Sequence, residues 1–257
     1  MNLMSAGHIM ALAHQTWREL LRERLVSGAM LASVVILLIA IPLGGLSLGQ
    51  DGRILADLGF ASLEVTSVLL VIVAGAQMLP REWERRTSFL VLSKPVSRTS
   101  FLLGKAFGLL AMGTLLVAVQ AVILLFLLAL RGLEVWPLLG QLPLVLLQTM
   151  VAASLAVGFS AFASTPVTLL ATLALYVTGH NLDSLQGLAA QLPWPSKTLL
   201  AVIGHILPDF SLLDLKNRII HGQSLTPGLA LAAVTHGVSW CVLALSTGIL
   251  AFHRREA

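Results

Sequence analysis

The chain has 257 residues, of which 57% are hydrophobic and only 11% charged, with a mean hydropathy of +0.90. Soluble domains carry about 25% charged residues, so this composition excludes a water-soluble globular enzyme and predicts an all-α integral membrane protein. The net charge of +4 is too modest to read as a nucleic-acid signal, and the single cysteine, Cys241, excludes an intramolecular disulfide and a cysteine-built metal site.

The first predicted element is an amphipathic helix over 8–26. Met10, Ala13, Trp17, Leu20, Leu21 and Leu25 fall on one face, and Gln15, Arg18, Glu19, Arg22 and Glu23 on the other. Such a helix lies along the membrane surface, with Trp17 at headgroup depth and arginines toward lipid phosphates. The first apolar run begins near Gly28, too late and too long for a signal peptide.

A membrane span needs about 20 apolar residues. Six runs qualify or nearly do, over 28–46, 58–79, 101–130, 137–162, 166–182 and 229–252. The fifth is the shortest. Only Ala163-Ser164-Thr165-Pro166 separates it from the fourth, so the two are expected to form a tight helical hairpin or a broken re-entrant pair, with Pro166 in the first turn of the second helix.

Lysine and arginine in the short loops set orientation. With six spans, Arg18, Arg22, Arg24, Arg81, Arg85, Arg86, Lys94, Arg98, Lys105, Arg254 and Arg255 share one side, and Arg53, Arg131, Lys197, Lys216 and Arg218 the other. The larger set marks the cytoplasm. Both termini and the 80–105 loop are therefore expected there, in a multi-pass protein of the cell inner (cytoplasmic) membrane.

The 80–98 segment is the densest charge cluster. The order helix, break, helix is predicted. Arg81 to Leu92 forms a short helix with Glu82, Arg85 and Arg86 on one side, ended by the restriction that Pro95 places on Lys94. Ser97 or Thr99 then caps the third span. A charged peg between two spans can pass a push from a soluble partner to the membrane.

Residues 183–227 form the one long external segment. It keeps two apolar stretches, from which two short helices are predicted, at 196–207 and 209–221. Ser196 and Asp209 are their N-caps and Pro208 the bend between them. Apolar helices in an external loop must bury themselves, and folding back into the outer leaflet over the mouth of a pathway, as a lid, accomplishes this.

Polar groups inside spans are costly and are functional candidates. Glu64 is the acid well within a span, placed about two turns from its outer end. Together with Gln120, Pro208, Asp209, Phe210 and Asp214 it makes up the candidate pathway or gate set. Gln120, Gln148 and Thr149 also suit interhelical hydrogen bonds. Gly104-x-x-x-Gly108 permits close helix packing. His180, His205, His221 and His236 gather in the last third of the chain near Asp183, Asp209 and Asp214, but no pair has a ligand spacing such as His-x-x-x-His, so no metal is assigned. An intramembrane hydrolase built on Ser160 with His180 or His236 is the enzyme alternative; Gly158-Phe159-Ser160 lacks a full nucleophile motif.

One run of residues carries a family resemblance. Glu84 after the second span, Thr87, Leu92-Ser93-Lys94-Pro95-Val96-Ser97-Arg98 and Phe101-Leu102-Leu103-Gly104-Lys105 look like the permease subunits of ABC transporters of the type-2 exporter class. The external Leu207-Pro208-Asp209-Phe210 and Leu213-Asp214-Leu215 are similar to a second pattern of that class. Within it, the chain looks most like the branch containing the permease of the nitrous-oxide-reductase maturation system. Arg86 departs from the pattern, where a small residue usually precedes the Thr.

The resemblance implies a single transmembrane permease domain over 1–257 that exports a substrate using two copies of a separate ABC ATP-binding subunit. It implies a homodimer of permeases in contact with membrane lipids. The segment 81–93 would be the coupling helix, with Arg81, Glu82, Glu84, Arg85, Arg86, Thr87 and Phe89 contacting the ATPase, and Lys94, Pro95, Arg98, Gly104 and Lys105 shaping the coupling loop. ATP and magnesium belong to the partner subunit, and no cofactor is assigned to this chain. Gly104-Lys105 is not a P-loop, because position 99 is Thr rather than Gly and position 106 is Ala rather than Ser or Thr. The alternative within the class is a subunit that transmits ATPase motion to an external accessory or assembly factor without moving a substrate.

Overall fold

The computed structural model describes residues 3–45, 51–84, 97–182, 184–185, 187, 193, 198, 204, 207–214 and 226–254. These form seven α-helices: α1 (Leu3–Leu21), α2 (Arg24–Gly45), α3 (Asp51–Glu84), α4 (Arg98–Leu130), α5 (Leu142–Ser160), α6 (Thr165–His180) and α7 (Pro227–Arg254). Short 3-10 helices cover Pro137–Gln141 and Ser211–Leu213, and no strand occurs among the described residues. Helices satisfy every backbone group within one segment, which is what an apolar chain requires in lipid.

Five helices are long and apolar enough to cross a membrane: α2, α3, α4, α5 with its preceding turn, and α7. The expected fifth span, α6, has 16 residues. At 1.5 Å per residue that is about 24 Å, short of a hydrocarbon core of about 30 Å. The α5–α6 hairpin forms as expected, turning through Ala161–Ser164 with Pro166 in the first turn of α6.

α3 and α5 are central, with 72% of each span buried by protein, against 22% for α2 and 17% for α7. α3 packs on α2, α4, α5 and α6, while α7 lies mainly against α5. Three apolar clusters fill the helix interfaces. One joins α1, α3, α4 and α5 around Val71, Leu79, Phe101 and Leu109; one joins α2, α3 and α4 around Phe60, Leu63 and Leu124; one joins α5 and α7 around Phe210 and Ala233. Leu31, Leu38, Leu170, Leu231 and Val242 point outward and are exposed, as suits side chains whose surrounding medium is lipid.

Several boundaries differ from the sequence expectation. The first helix starts at Leu3, not 8, and stops at Leu21. A turn at Arg22–Glu23, in which their N–H groups donate to Glu19 O (3.1 Å) and Leu20 O (3.0 Å), separates it from α2. The expected apolar face is also rotated. Leu12, Thr16 and Leu20 are buried, while Met10 is 72% exposed. The reason is Gly104 and Gly108 of α4: ideal Cβ atoms there would lie 2.5 Å from Leu12 Cβ and 2.6 Å from Thr16 Cβ. α1 seats itself in that notch, so the small-residue pair does serve close packing. Ser97 is the residue that caps α4, its Oγ accepting from Ser100 N–H at 3.1 Å.

The second span does not end at 79. α3 runs through Pro80 and Arg81 to Glu84, a helix of 34 residues. The expected helix from Arg81 therefore begins as the last turn of α3, held there by ion pairs to Glu23 in the turn between α1 and α2 and to Lys105 of α4. Its remainder, Arg85 to Leu92, lies outside the described residues. The helix expected over 209–221 is corrected as well. The described part is a 3-10 turn, Ser211–Leu213, closed at Asp214 in a non-helical conformation. Most of 196–207 lies outside the described residues; of its members 198 and 204 are helical.

Candidate functional site

Two polar assemblies are built on α3, one at its C-terminal end and one about 27 Å back along the helix, around Glu64. The inner one joins the end of α3 to α1 and the start of α4. Arg81 Nη1 donates to Glu23 Oε1 at 2.6 Å. Lys105 Nζ lies 2.7 Å from Glu82 Oε1 and 3.7 Å from Glu19 Oε2. Lys105 is nearly buried, and an amine there is retained because carboxylates surround it. These pairs border a groove of about 630 Å³, lined by the polar face of α1, Met78, Arg81, Glu82, Phe101 and Lys105. Arg98 reaches the end of α7, its Nη1 at 3.4 Å from Phe252 O, and Thr99 Oγ1 lies 3.0 Å from His253 Nε2. Among the residues expected at the ATPase contact, Arg81 and Glu82 therefore meet partners within the chain. Glu84 ends α3; Arg85, Arg86, Thr87 and Phe89 lie outside the described residues, as do Lys94 and Pro95 of the coupling loop.

The outer assembly centres on Glu64, which is 2% exposed. Gln148 Nε2 of α5 donates to Glu64 Oε1 at 2.7 Å, and Tyr176 OH of α6 donates to the same oxygen at 3.0 Å. His180, in the last turn of α6, places Nδ1 at 3.6 Å from Glu64 Oε1 and Nε2 at 3.5 Å from Asp214 Oδ2. Along α3, Glu64 lies about 15 Å, a little under three turns, from Ile54, where the apolar span begins, against the two turns expected. The carboxylate is thus carried deep, and hydrogen bonds from two other helices compensate its desolvation.

The loop 207–214 closes this assembly. Phe210 N–H donates to Gly179 O at 3.1 Å, and the fully buried Phe210 ring meets Tyr176 edge-on at a centroid distance of 5.2 Å. Asp209, expected as an N-cap, stands one residue before the N-cap Phe210 of the 3-10 turn, its Oδ1 accepting from Ser211 N–H (3.0 Å), Leu212 N–H (3.2 Å) and Ser211 Oγ (2.6 Å). Its own N–H donates to His236 Nε2 of α7 at 3.0 Å. His236 lies about 14 Å along α7 from Pro227, so the loop reaches from the last turn of α6 to a point well inside α7.

The structure thus brings together Glu64, Asp214 and Phe210, with Pro208 and Asp209 beside them. Gln120 is elsewhere: it faces the other side of α3, where Thr66 Oγ1 lies 3.0 Å from its Oε1. Ser67 and Thr149 form a second α3–α5 contact at 3.2 Å. Ser160 donates to Val157 O at 2.8 Å, on its own helix and at the opposite end of the α5–α6 hairpin from His180, so the Ser160–His180 hydrolase is not assembled. Sequence reasoning missed Tyr176. Its signal was available, since it is the one tyrosine of the chain and stands inside an apolar run.

A search of curated proteins found no match. A family model described as "ABC-2 family transporter protein" matches residues 10–257. With nearly the whole sequence matched, and with five helices able to cross a membrane, the chain belongs to the ABC-2 family of transporter proteins, as a membrane permease component that is not itself catalytic.

Proposed function

We propose that this chain is the membrane half of an ATP-driven exporter, working with a separate ATP-binding subunit that docks on the cytoplasmic side. The observation that carries the reading is α3. One uninterrupted helix holds Glu82 in the inner ion-pair groove and Glu64 in the outer polar assembly. A displacement imposed at the inner end by ATP-driven closure of the partner is delivered to the outer end without an intervening hinge loop. The segment 85–96 is the partner contact, six spans with α6 as the short fifth place both termini in the cytoplasm, and two permeases with two ATPases form the unit. ATP and magnesium are held by the partner. The export direction and the nitrous-oxide-reductase branch rest on sequence resemblance alone.

The test is assembly. The chain purified alone should show no ATP hydrolysis, and co-expression with its ATP-binding partner subunit should yield a complex that hydrolyses ATP. Reversing both Arg85 and Arg86 to Glu should lower recovery of that complex. Undiminished assembly and turnover in the reversed variant would remove 85–96 as the contact. Stimulation of ATP turnover by a transported compound separates export from transmission of motion to an external factor.

A further inference from the structure

Glu64, His180 and Asp214 are far apart in sequence, yet each offers a ligand atom, and these atoms all lie within 4.8 Å of one another. We propose that they form a binding site for a first-row divalent metal ion, of the Zn²⁺ type, at the junction of α3, α6 and the loop 207–214.

The donor chemistry fits. One imidazole nitrogen and two carboxylate oxygens are a common set for such ions, with bonds of about 2.0–2.2 Å. Donor atoms of a tetrahedral site with such bonds are about 3.4 Å apart. The His180 separations, 3.6 Å from Nδ1 to Glu64 and 3.5 Å from Nε2 to Asp214, belong to two different ring nitrogens, of which a single ion would use one. Both are too long for strong N–H···O bonds, whose distances run about 2.7–3.2 Å. His180 is therefore not spent as a hydrogen-bonding bridge. An imidazole gives a metal one nitrogen, so a turn of the ring and a rotation of Asp214, which stands on a loop, draw the three donors together.

A second observation points the same way. Gln148 is fully buried, its amide reaches Glu64, and its carbonyl oxygen Oε1 has no hydrogen-bond partner. A buried amide oxygen left unpaired is costly; it belongs to the same amide whose nitrogen stands 2.7 Å from Glu64 Oε1, which puts it in the neighbourhood of the cluster. Tyr176 and the Gln148 amine fix Glu64 Oε1 in the way that outer groups orient metal ligands. The His180 side chain is 30% exposed and Asp214 11%, which gives an ion an entry from the loop side.

The experiment uses the full chain in detergent, stripped with chelator and then titrated with Zn²⁺, with Co²⁺ as the spectroscopic probe. The expected result is one high-affinity equivalent of Zn²⁺, a higher melting temperature, and visible d–d bands with Co²⁺. His180→Ala and Asp214→Asn should each weaken Zn²⁺ binding at least tenfold and abolish the Co²⁺ bands. Asp214→Asn alters only the loop side and keeps the test valid if His180→Ala misfolds. Monodisperse wild-type chain that binds no Zn²⁺, or folded Asp214→Asn chain that binds it with undiminished affinity, overturns the site.

Discussion

Gly179 and Pro208 are packed backbone to backbone: a Cβ placed on Gly179 would fall on the carbonyl oxygen of Pro208. The same glycine accepts the Phe210 N–H at 3.1 Å. Any side chain at 179 must lift the loop off α6. Gly179→Val is expected to cost about 1–3 kcal/mol of loop seating, as overpacking does. In a Cys241→Ala background, a cysteine at Leu212 should then react with a maleimide roughly ten- to hundredfold faster than in the parent. Equal rates would show that the loop is not held by this contact.

The two inner ion pairs should behave differently. Lys105 and Glu82 are 6% and 16% exposed, whereas Arg81 and Glu23 are 43% and 24% exposed. Truncating one partner of the shielded pair strands a charge, so Lys105→Met is expected to cost roughly 3 kcal/mol and to be nearly insensitive to salt. Arg81→Met should cost less than about 1 kcal/mol and less still in high salt. Melting temperatures at two salt concentrations measure both.

The α1–α4 notch predicts a graded glycine series. Gly108→Leu should destabilise by about 1–3 kcal/mol, since Thr16 and the Ala13 carbonyl already fill the space. Gly7→Ala and Gly28→Ala, with nothing within 4 Å, should be neutral or stabilise by up to about 1 kcal/mol. A flat series would mean that α1 is not seated on α4.

The six-span topology is checked by labelling. In the Cys241→Ala background, a cysteine at Ser88 should react only from the cytoplasm and one at Gly222 only from outside. Reaction of both from the same side would remove α6 as a span and reverse α7.

The spans were legible because a bilayer imposes length and hydropathy on every crossing segment. The face that α1 uses was not legible. Amphipathicity separates oil from water, but Met10 and Leu12 are equally oily, and only the notch at Gly104 and Gly108 decides which meets protein. The Asp209 carboxylate does take backbone N–H groups just after it, because such bonds are local, but the helix it was expected to cap is a single 3-10 turn with Phe210 at its N-cap, set by the docked loop. Glu64 was singled out by its type alone. Its partners Gln148, Tyr176, His180 and Asp214 come from three other segments with no repeating interval, and nothing short of the assembled fold places them together.

The seating of loop 207–214 also orders how the protein is made. Chains emerge N-terminus first, so α3, α5 and α6 are in place before Asp209 and Asp214, and α7 follows last. Until His236 arrives to accept the Asp209 N–H, the loop lacks one of its two anchors. The loop over Glu64 is then fully seated only once α7 has followed it, and a chain cut before Pro227 lacks the His236 contact that holds Asp209.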